Sequence, residues 1–347
     1  MDLIYRADGN DFTTVPMTLV NGEYTATIPG ASTGTVVQFY VEGIDSLGAV
    51  STFPADGADS RALYEVNDGQ SPTRAVESFR IVLMNDDNRT LFSNVNTMSN
   101  NYQPGTLIVG NHTVFYDVGI RQIGSRFIRP NSGYKVQLSA DNKFLGVHES
   151  VRFDIELLDE IIFKQMVNRS GGSSTSMYDD LSFMISPQHG GRSILLNLAR
   201  YESQFLNEQF NNGTDGTKFE LDDITSPTNP NGDGFKTGTD ATAQDMRYHG
   251  PDPEAYRGQL LIKNNRAKDD FDSIAEFVRV INLNGEALDA SIDDVMDVDI
   301  WMRHYATQSF VGNWDTYGFN RPKNPAFTRV RPTAKSFLSI GTPIEAI

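Results

Sequence analysis

The sequence predicts an α+β fold, in which a small all-β module at residues 1–68 precedes a two-lobed domain at residues 77–347. Short alternating stretches separated by turn residues predict the module. Residues 69–76 contain Gly69 and Pro72 and are typical of a linker. In the rest of the chain, strand patterns come first and helical apolar spacing follows, which favours a mixed domain.

Short strands punctuated by turns predict a β-sandwich in the module. Asn21-Gly22 is a strong signal for a two-residue hairpin, and the residues on either side alternate between apolar and polar. Residues 36–44 predict a half-buried strand, and residues 63–66 predict a short final one. This spacing favours an immunoglobulin- or fibronectin-like sandwich, which usually spans about a hundred residues. We therefore expect the module to be incomplete at its start, and nothing in it resembles a catalytic site.

Apolar residues at helical spacing predict four helices in the larger region. Residues 224–257 are rich in Pro, Gly, Asn, Thr and Asp, which is typical of a long loop or insertion. The predicted helices cover residues 155–169, a stretch around 201–206, a stretch around 274–281 with Asp269 or Asp270 as its cap, and residues 298–310. The predicted strands cover residues 79–84, 114–123, 134–138, 183–185 and 194–198.

The composition is that of an acidic globular protein. Of the 347 residues, 39% are hydrophobic and 10% are aromatic, which is enough to bury a core. The net charge of −16 argues against nucleic acid as a partner, because basic surfaces bind phosphate backbones. No apolar stretch has the length of a membrane span, and no signal peptide opens the chain. The chain starts within a predicted strand at Leu3, so we expect the natural N-terminus to lie further upstream.

Missing residue patterns exclude several chemistries. The chain has no cysteine, so disulfides, thiolate metal sites and cysteine nucleophiles are excluded. The five histidines lack zinc-site spacing, and we expect His148 and His304 to be structural. No Gly-Lys dipeptide occurs, which argues against P-loop NTPases. The segment from Asn229 to Asp240 approaches calcium-loop spacing, but Asn comes first and Asp last, so we expect no Ca²⁺ there.

A carboxylate and an amide stand five residues apart after the last predicted helix. Asp315 and Asn320 match the Asp-x-x-x-x-Asn spacing of a kinase catalytic loop. There the carboxylate orients a hydroxyl and takes its proton, and the amide oxygen holds Mg²⁺. Gly312 is placed to end the preceding helix. The spacing alone leaves a catalytic loop and a polar loop after a helix both open, because Asp and Asn are common in this chain.

Several segments together resemble the CotH kinase family, the atypical kinases similar to spore coat protein H. Residues 119–125, Gly-Ile-Arg-Gln-Ile-Gly-Ser, are similar to the family's Gly-x-Arg-x-x-Gly-Ser element. The likeness runs in the right order over about residues 75–333, and it implies a two-lobed, protein-kinase-like domain. The other similar segments are residues 144–149 and the helix containing Asp159-Glu160 that follows them, and residues 177–181, 199–206, 262–270 and 297–315.

The resemblance implies a nucleotide site built from the first half of the domain. Gly124 and Ser125 would lie near the phosphates of ATP, where backbone N–H groups can donate. Lys135 is the candidate for the lysine that pairs with the α- and β-phosphates. Glu160 would pair with that cation, or would instead be a solvated helix charge. The alternatives to Lys135 are Arg126 and Arg129.

The resemblance also implies the catalytic residues. Asp315 would be the catalytic base and Asn320 a ligand of Mg²⁺ or Mn²⁺. Relatives continue with a strand and a Trp-Asp-x-Asp segment whose aspartate binds the metal, whereas Glu345 is the only acidic residue after Asp315 here. We therefore expect a weakened metal site and an incomplete, truncated C-terminal lobe.

These observations predict an atypical kinase that transfers the γ-phosphate of ATP to Ser or Thr hydroxyls of secreted or surface proteins. The missing aspartate predicts that the chain as given is weakly active or inactive. The alternative is a non-catalytic adhesion protein of the cell surface, for which a β-sandwich module is suited. The resemblance and the module imply an extracellular or cell-surface location, without a nucleic-acid partner or a membrane span.

Overall fold

The computed structural model forms two compact units. Unit 1 consists of residues 1–123, 129–155 and 181–197, and unit 2 consists of residues 124–128, 156–180 and 198–347. The predicted domain boundaries stay predictions, because most of the predicted linker lies outside the described residues. The described residues are 1–66, 69, 76–96, 99–110, 112–124, 133–154, 158–170, 179–187, 193–198, 202–221, 224–226, 237–239, 246–258, 260–312, 317, 326–329 and 337–341.

An antiparallel sheet and a separate hairpin begin unit 1. The strands are β1 (Asp2–Ala7), β2 (Thr13–Pro16), β3 (Thr18–Val20), β4 (Glu23–Thr25), β5 (Val36–Ile44), β6 (Val50–Phe53) and β7 (Leu63–Glu65). The sheet order is β2-β1-β5-β6, and β7 also pairs with β5. β3 and β4 form the predicted hairpin, in which Asn21 and Gly22 have φ angles of 53° and 89°, as a two-residue turn requires. The immunoglobulin-like sandwich stays a prediction.

A closed barrel follows in unit 1. Its strands are β8 (Ser78–Val82), β9 (Gln103–Val109), β10 (Thr113–Ile123), β11 (Gly133–Gln137), β12 (Ser150–Asp154), β13 (Asp180–Ile185) and β14 (Ser193–Asn197), and α1 (Asn85–Leu91) follows β8. They close in the order β10-β11-β12-β14-β13-β8-β9, with β13 parallel to β8. Alternate residues fill the barrel, where the ring centroids of Phe79 and Phe153 lie 4.8 Å apart. The five strands predicted in the larger region are confirmed, whereas β9, β12 and α1 were not predicted.

Hydrogen bonds join the first sheet to the barrel within unit 1. The backbone N–H of Leu63 donates to the Thr106 hydroxyl at 3.0 Å, and that hydroxyl donates to the carbonyl oxygen of Arg61. The N–H of Arg61 donates to the carboxylate of Asp117, which lies at a bulge of β10 with a φ angle of 53°. Burial raises the pKa of the Asp117 carboxyl. An apolar cluster of Val36, Leu63, Val82 and Met84 lies in the same unit and spans the sheet and the barrel.

Unit 2 combines helices with a small sheet. The helices are α2 (Leu158–Ser170), α3 (Ser203–Gln209), α4 (Phe271–Ile281), α5 (Glu286–Asp289), α6 (Ile292–Val295) and α7 (Val298–Phe310). The strands are β15 (Lys218–Leu221), β16 (Ile224–Ser226), β17 (Thr237–Thr239), β18 (Leu260–Ile262), β19 (Ala326–Arg329) and β20 (Phe337–Gly341). Four strands form a sheet in the order β18-β15-β19-β20, and β16 pairs with β17.

The four predicted helices correspond to α2, α3, α4 and α7, and the predicted bounds of α7 match those of the structure. Asp270 lies at the N-cap of α4 but makes no capping bond to the helix; the Thr217 hydroxyl donates to its carboxylate at 3.4 Å. β16 and β17 lie within the predicted loop at residues 224–257, and the elements described in that range are short. The α+β class is confirmed, and the kinase-like arrangement of two lobes stays a prediction.

Candidate functional site

Helix α7 leads into the segment that contains Asp315. The Asp297 carboxylate caps the helix by accepting from the N–H of Ile300 at 3.0 Å, and the helix ends before Gly312, whose φ angle is 69°. Asp315 and Asn320 both lie outside the described residues, so their predicted roles stay predictions. The described residues before and after Asp315 are Gly312 and Tyr317.

One aromatic core holds the residues that flank this segment. Trp301 on α7 is fully buried, and its ring lies 5.7 Å from Phe277 and 5.8 Å from Phe327 on β19. The Tyr317 ring lies 6.2 Å from that of Tyr305, which is on α7. α7, β19 and Tyr317 therefore contribute to the same core on both sides of Asp315.

His304 on α7 is a buried, neutral histidine. Its ring makes an edge contact with Phe163 of α2 at 5.6 Å between centroids, and the amide nitrogen of Gln308 lies 3.1 Å from its Nε2. Burial lowers the pKa of His304 to about 4, because the charged form cannot be solvated there. The prediction of a structural histidine is in keeping with this position, where the ring joins α2 to α7.

Glu160 belongs to a buried cluster of three charged side chains in unit 2. The Nζ of Lys164 lies 2.9 Å from Oε1 of Glu160 and 2.6 Å from Oδ1 of Asp179. The side chains of Lys164 and Glu160 are each 3% exposed, and that of Asp179 is 0% exposed. The alternative of a solvated helix charge at Glu160 is therefore wrong. A buried lysine in contact with two buried carboxylates is a charged cluster of a kind often found at functional sites.

The residues predicted to form the nucleotide site lie in both units of the chain. Gly124 directly follows β10 with a φ angle of 97°, which suits glycine at a turn. Ser125, Arg126 and the alternative Arg129 lie outside the described residues. Lys135 lies on β11 in unit 1, whereas Glu160 lies in unit 2.

Lys135 has cationic neighbours that sequence reasoning missed. It is the Cα partner of Arg121 on β10 and of Arg152 on β12. No sequence motif marks this arrangement, because it depends on the register of three strands. The pairing of Lys164 with Glu160 could have been found from their spacing of four residues on a predicted helix, whereas Asp179 could not.

Among the described residues, no group of three His, Cys, Asp or Glu side chains is placed to hold a metal ion. The calcium-like segment lies outside the described residues apart from β17. No helix in the described part of the chain is long and apolar enough to cross a membrane.

Comparison with known families confirms the resemblance. Residues 194–322 match the family described as CotH kinase protein, and this range runs from β14 through α7 to Asp315 and Asn320. The chain is therefore similar to the CotH kinase family over this range, and the class of protein that the likeness indicates is a kinase. Lys135 and Glu160 lie outside the matched range. No curated protein and no solved structure gave a significant match to the chain.

Proposed function

We propose that this protein is an atypical protein kinase that transfers the γ-phosphate of ATP to Ser or Thr hydroxyls of secreted or surface proteins. The observation that carries the proposal is the family match over residues 194–322, which includes Asp315 and Asn320. The described geometry supports it, since a capped helix and an aromatic core hold the residues on both sides of Asp315.

In the proposed reaction, Asp315 acts on the hydroxyl of the protein substrate. Its carboxylate would orient the hydroxyl and accept its proton while the oxygen bonds to the γ-phosphorus. The bond between that phosphorus and the bridging oxygen breaks, and ADP leaves. Removing such a base typically lowers the rate by a factor of about 10² to 10⁴.

The sequence after Asp315 offers few carboxylate ligands for the metal of the proposed kinase. The amide oxygen of Asn320 is a suitable ligand for Mg²⁺ or Mn²⁺, which would neutralise charge on the phosphates. Residues 316–347 contain Glu345 as their only acidic residue, so a second carboxylate for the metal is missing from this stretch. We therefore expect slow phosphoryl transfer by these 347 residues.

Labelling with radioactive ATP tests the role of Asp315. The protein and its Asp315→Asn variant are incubated with Mg²⁺ or Mn²⁺ and a Ser/Thr-rich peptide. Asp299→Asn is the matched control, because Asp299 is an exposed residue of α7 that pairs with Arg303 at 2.7 Å. We expect label in the wild type and the control and little in Asp315→Asn. Equal labelling of all three would refute the role of Asp315, and absence of ATP binding would refute the kinase proposal.

A non-catalytic role at the cell surface is the second candidate. The β5–β6 hairpin of the first sheet exposes the apolar side chains of Ile44, Leu47, Val50 and Phe53, and Leu47 is 92% exposed. Exposed apolar patches mark interaction sites in soluble proteins. Under this alternative, Leu47→Ser would weaken attachment to a cell surface, and Asp315→Asn would leave it unchanged.

A further inference from the structure

Strand β6 is an exposed edge of the first sheet. It pairs with β5 on one side, and no described strand pairs with its other side. The N–H of Asp45 donates to the carbonyl oxygen of Ala49 at 3.0 Å, so these residues form a hydrogen-bonded pair at the turn between the two strands. Such pairs alternate in antiparallel strands, so the backbone N–H and C=O groups of Val50 and Thr52 point away from β5. Within the described chain, β6 therefore offers the backbone groups of two residues to a further strand.

This edge carries apolar side chains on the face that points away from the barrel. Ile44 and Val50 are Cα partners and are 60% and 58% exposed. The opposite face carries Phe53, whose ring lies 6.5 Å from that of Tyr116 on barrel strand β10. Natural edge strands are commonly protected by Lys, Pro or a bulge, whereas residues 50–53 contain neither Lys nor Pro and pair in continuous register. The edge is therefore open to pairing with another chain.

Two acidic residues oppose one another on the same face. Asp2 on β1 and Glu42 on β5 are Cα partners, and Glu42 is also the partner of Thr52 on β6. Like charges directly opposite one another in a sheet are destabilising. Within the described chain neither carboxylate forms an ion pair, so no cationic side chain offsets this repulsion. A cation brought by a partner would offset it.

The residues around this edge are acidic as a whole. Residues 1–66 contain nine Asp or Glu residues, two Arg and no Lys. Both arginines are engaged elsewhere, since Nε of Arg6 donates to the Gln38 side chain at 2.7 Å and Arg61 pairs with Asp87 at 2.8 Å. Arg6 lies roughly 13 Å along β1 from the acidic pair. A second copy of the chain or an anionic lipid surface would add like charge here, whereas a cationic partner is attracted.

We propose that β6 binds an extended segment of another protein that carries an apolar residue and a Lys or Arg two positions apart. The segment would add to the sheet as a further strand and form backbone hydrogen bonds with Val50 and Thr52. Residues two apart lie on one face, so its apolar side chain would pack on Val50 and its cation would extend past Thr52 to Glu42. This goes beyond the proposed function and does not rest on it.

The spacing of strands permits this contact. Neighbouring strands lie about 4.8 Å apart, which places Glu42 on β5 about 10 Å from the added strand. An extended lysine or arginine and a glutamate side chain together span this distance. Thr52, which lies between them on β6, is small enough to be crossed.

Fluorescence anisotropy with the full 347-residue chain, without ATP, tests the inference. The cationic probe is the labelled peptide Thr-Val-Thr-Lys-Thr-Val-Thr-Lys-Thr, which places Val and Lys on one face of a strand. One matched probe replaces both Lys by Glu, and another carries N-methyl groups on the three central residues, which removes backbone donors. We expect the cationic probe to bind at least about tenfold more tightly than either matched probe.

Variants of the edge locate the binding site. Glu42→Gln removes the charge, and Thr52→Pro removes an outward backbone donor at an edge position where proline is tolerated. We expect each to weaken binding of the cationic probe about tenfold. Asp11→Asn is the matched control, because Asp11 is an exposed acidic residue between β1 and β2, at the opposite end of β1 from Asp2. Glu42→Gln keeps the test decisive if Thr52→Pro does not fold.

Several results would overturn the inference. These are no binding of the cationic probe by wild type, equal binding of the Lys and Glu probes, and equal affinity of wild type and Glu42→Gln. Sedimentation velocity tests a second copy as the occupant, and self-association that Thr52→Pro abolishes would also overturn the inference. Because ATP is absent, the kinase proposal can fail while these results stand; unchanged peptide binding in Asp315→Asn would support the separation of the two sites.

Discussion

Replacing Lys164 by methionine removes the ammonium that lies between two buried carboxylates. In the wild type, Nζ lies 2.9 Å from Glu160 and 2.6 Å from Asp179, and all three side chains are at most 3% exposed. Removing one partner of a buried ion pair costs about 3–5 kcal/mol, because the carboxylates that the ammonium contacts stay buried after it is lost. We expect the free energy of unfolding of Lys164→Met to fall by about this amount.

Urea denaturation followed by circular dichroism measures the change. The matched control is Arg303→Met, which removes a cation four residues from its partner Asp299 on α7, where the side chains are 46% and 69% exposed. An exposed pair of this kind contributes about 0–1 kcal/mol. The difference between the two variants should therefore reach at least about 2 kcal/mol.

Measurements at low pH, and a variant in which all three charges are removed, make this test more specific. In Lys164→Met, burial and the neighbouring carboxylate both favour protonation of one of the two groups, so the loss relative to wild type should shrink as the pH falls. Combining Lys164→Met with Glu160→Gln and Asp179→Asn removes all three charges and should recover part of the loss. The reasoning fails if Lys164→Met is no more destabilising than Arg303→Met, or if its loss is independent of pH.

Two further predictions concern the packing of each unit. The pKa of His304 is about 4 in the folded protein, against 6.5 for an ordinary histidine. Between these two pH values the unfolded state binds more protons than the folded state. The free energy of unfolding should therefore fall by up to about 3 kcal/mol from pH 6.5 to pH 4. In His304→Gln that contribution should vanish, and parallel pH curves for both proteins would contradict the assignment. A Cβ at Gly133 would overlap the carbonyl oxygen of Phe153, so Gly133→Ala should lower stability by about 1–3 kcal/mol. Gly30→Ala, with open space around it, is the control, and equal melting temperatures for the two would refute the packing argument.

Elements with local signals were predicted from the sequence. Helix α7 has an Asp297 cap, an apolar stripe and a terminal glycine, so both of its ends could be predicted. Asn21-Gly22 specifies the β3–β4 hairpin through local backbone preferences. In each case the signal lies within the element or next to it.

The barrel and the cationic neighbours of Lys135 depend on distant pairings. β8 and β13 pair in parallel over about a hundred residues of chain, and no local pattern indicates this. β12 was not predicted, although Val151 and Phe153 alternate with Arg152 and Asp154; all four side chains are buried in the structure. The cationic neighbours of Lys135 likewise become apparent only once the register of three strands is known.

The candidate site residues show the same contrast between local signals and long-range contacts. Asp315 and Asn320 could be proposed because their spacing is a local motif, and the family match covers both. Glu160 was correctly placed on a helix, but Asp179, the second carboxylate that contacts Lys164, follows nineteen positions later, beyond the end of that helix. The spacing of residues in the sequence therefore identified candidate site residues, but it did not identify the buried side chains that surround them.

The hydrogen bonds around Thr106 affect how the two parts of unit 1 are connected. The Thr106 hydroxyl accepts from the N–H of Leu63 on β7 and donates to the carbonyl oxygen of Arg61 just before β7, so it joins this edge of the first sheet to a barrel strand. The hydrogen bond from Arg61 to Asp117 and the apolar cluster that includes Val82 add to this contact. The first sheet and the barrel are therefore connected by these contacts as well as by the peptide chain. A pulling force on the first sheet would consequently reach the barrel wall through β9 and β10 as well as through the covalent linker.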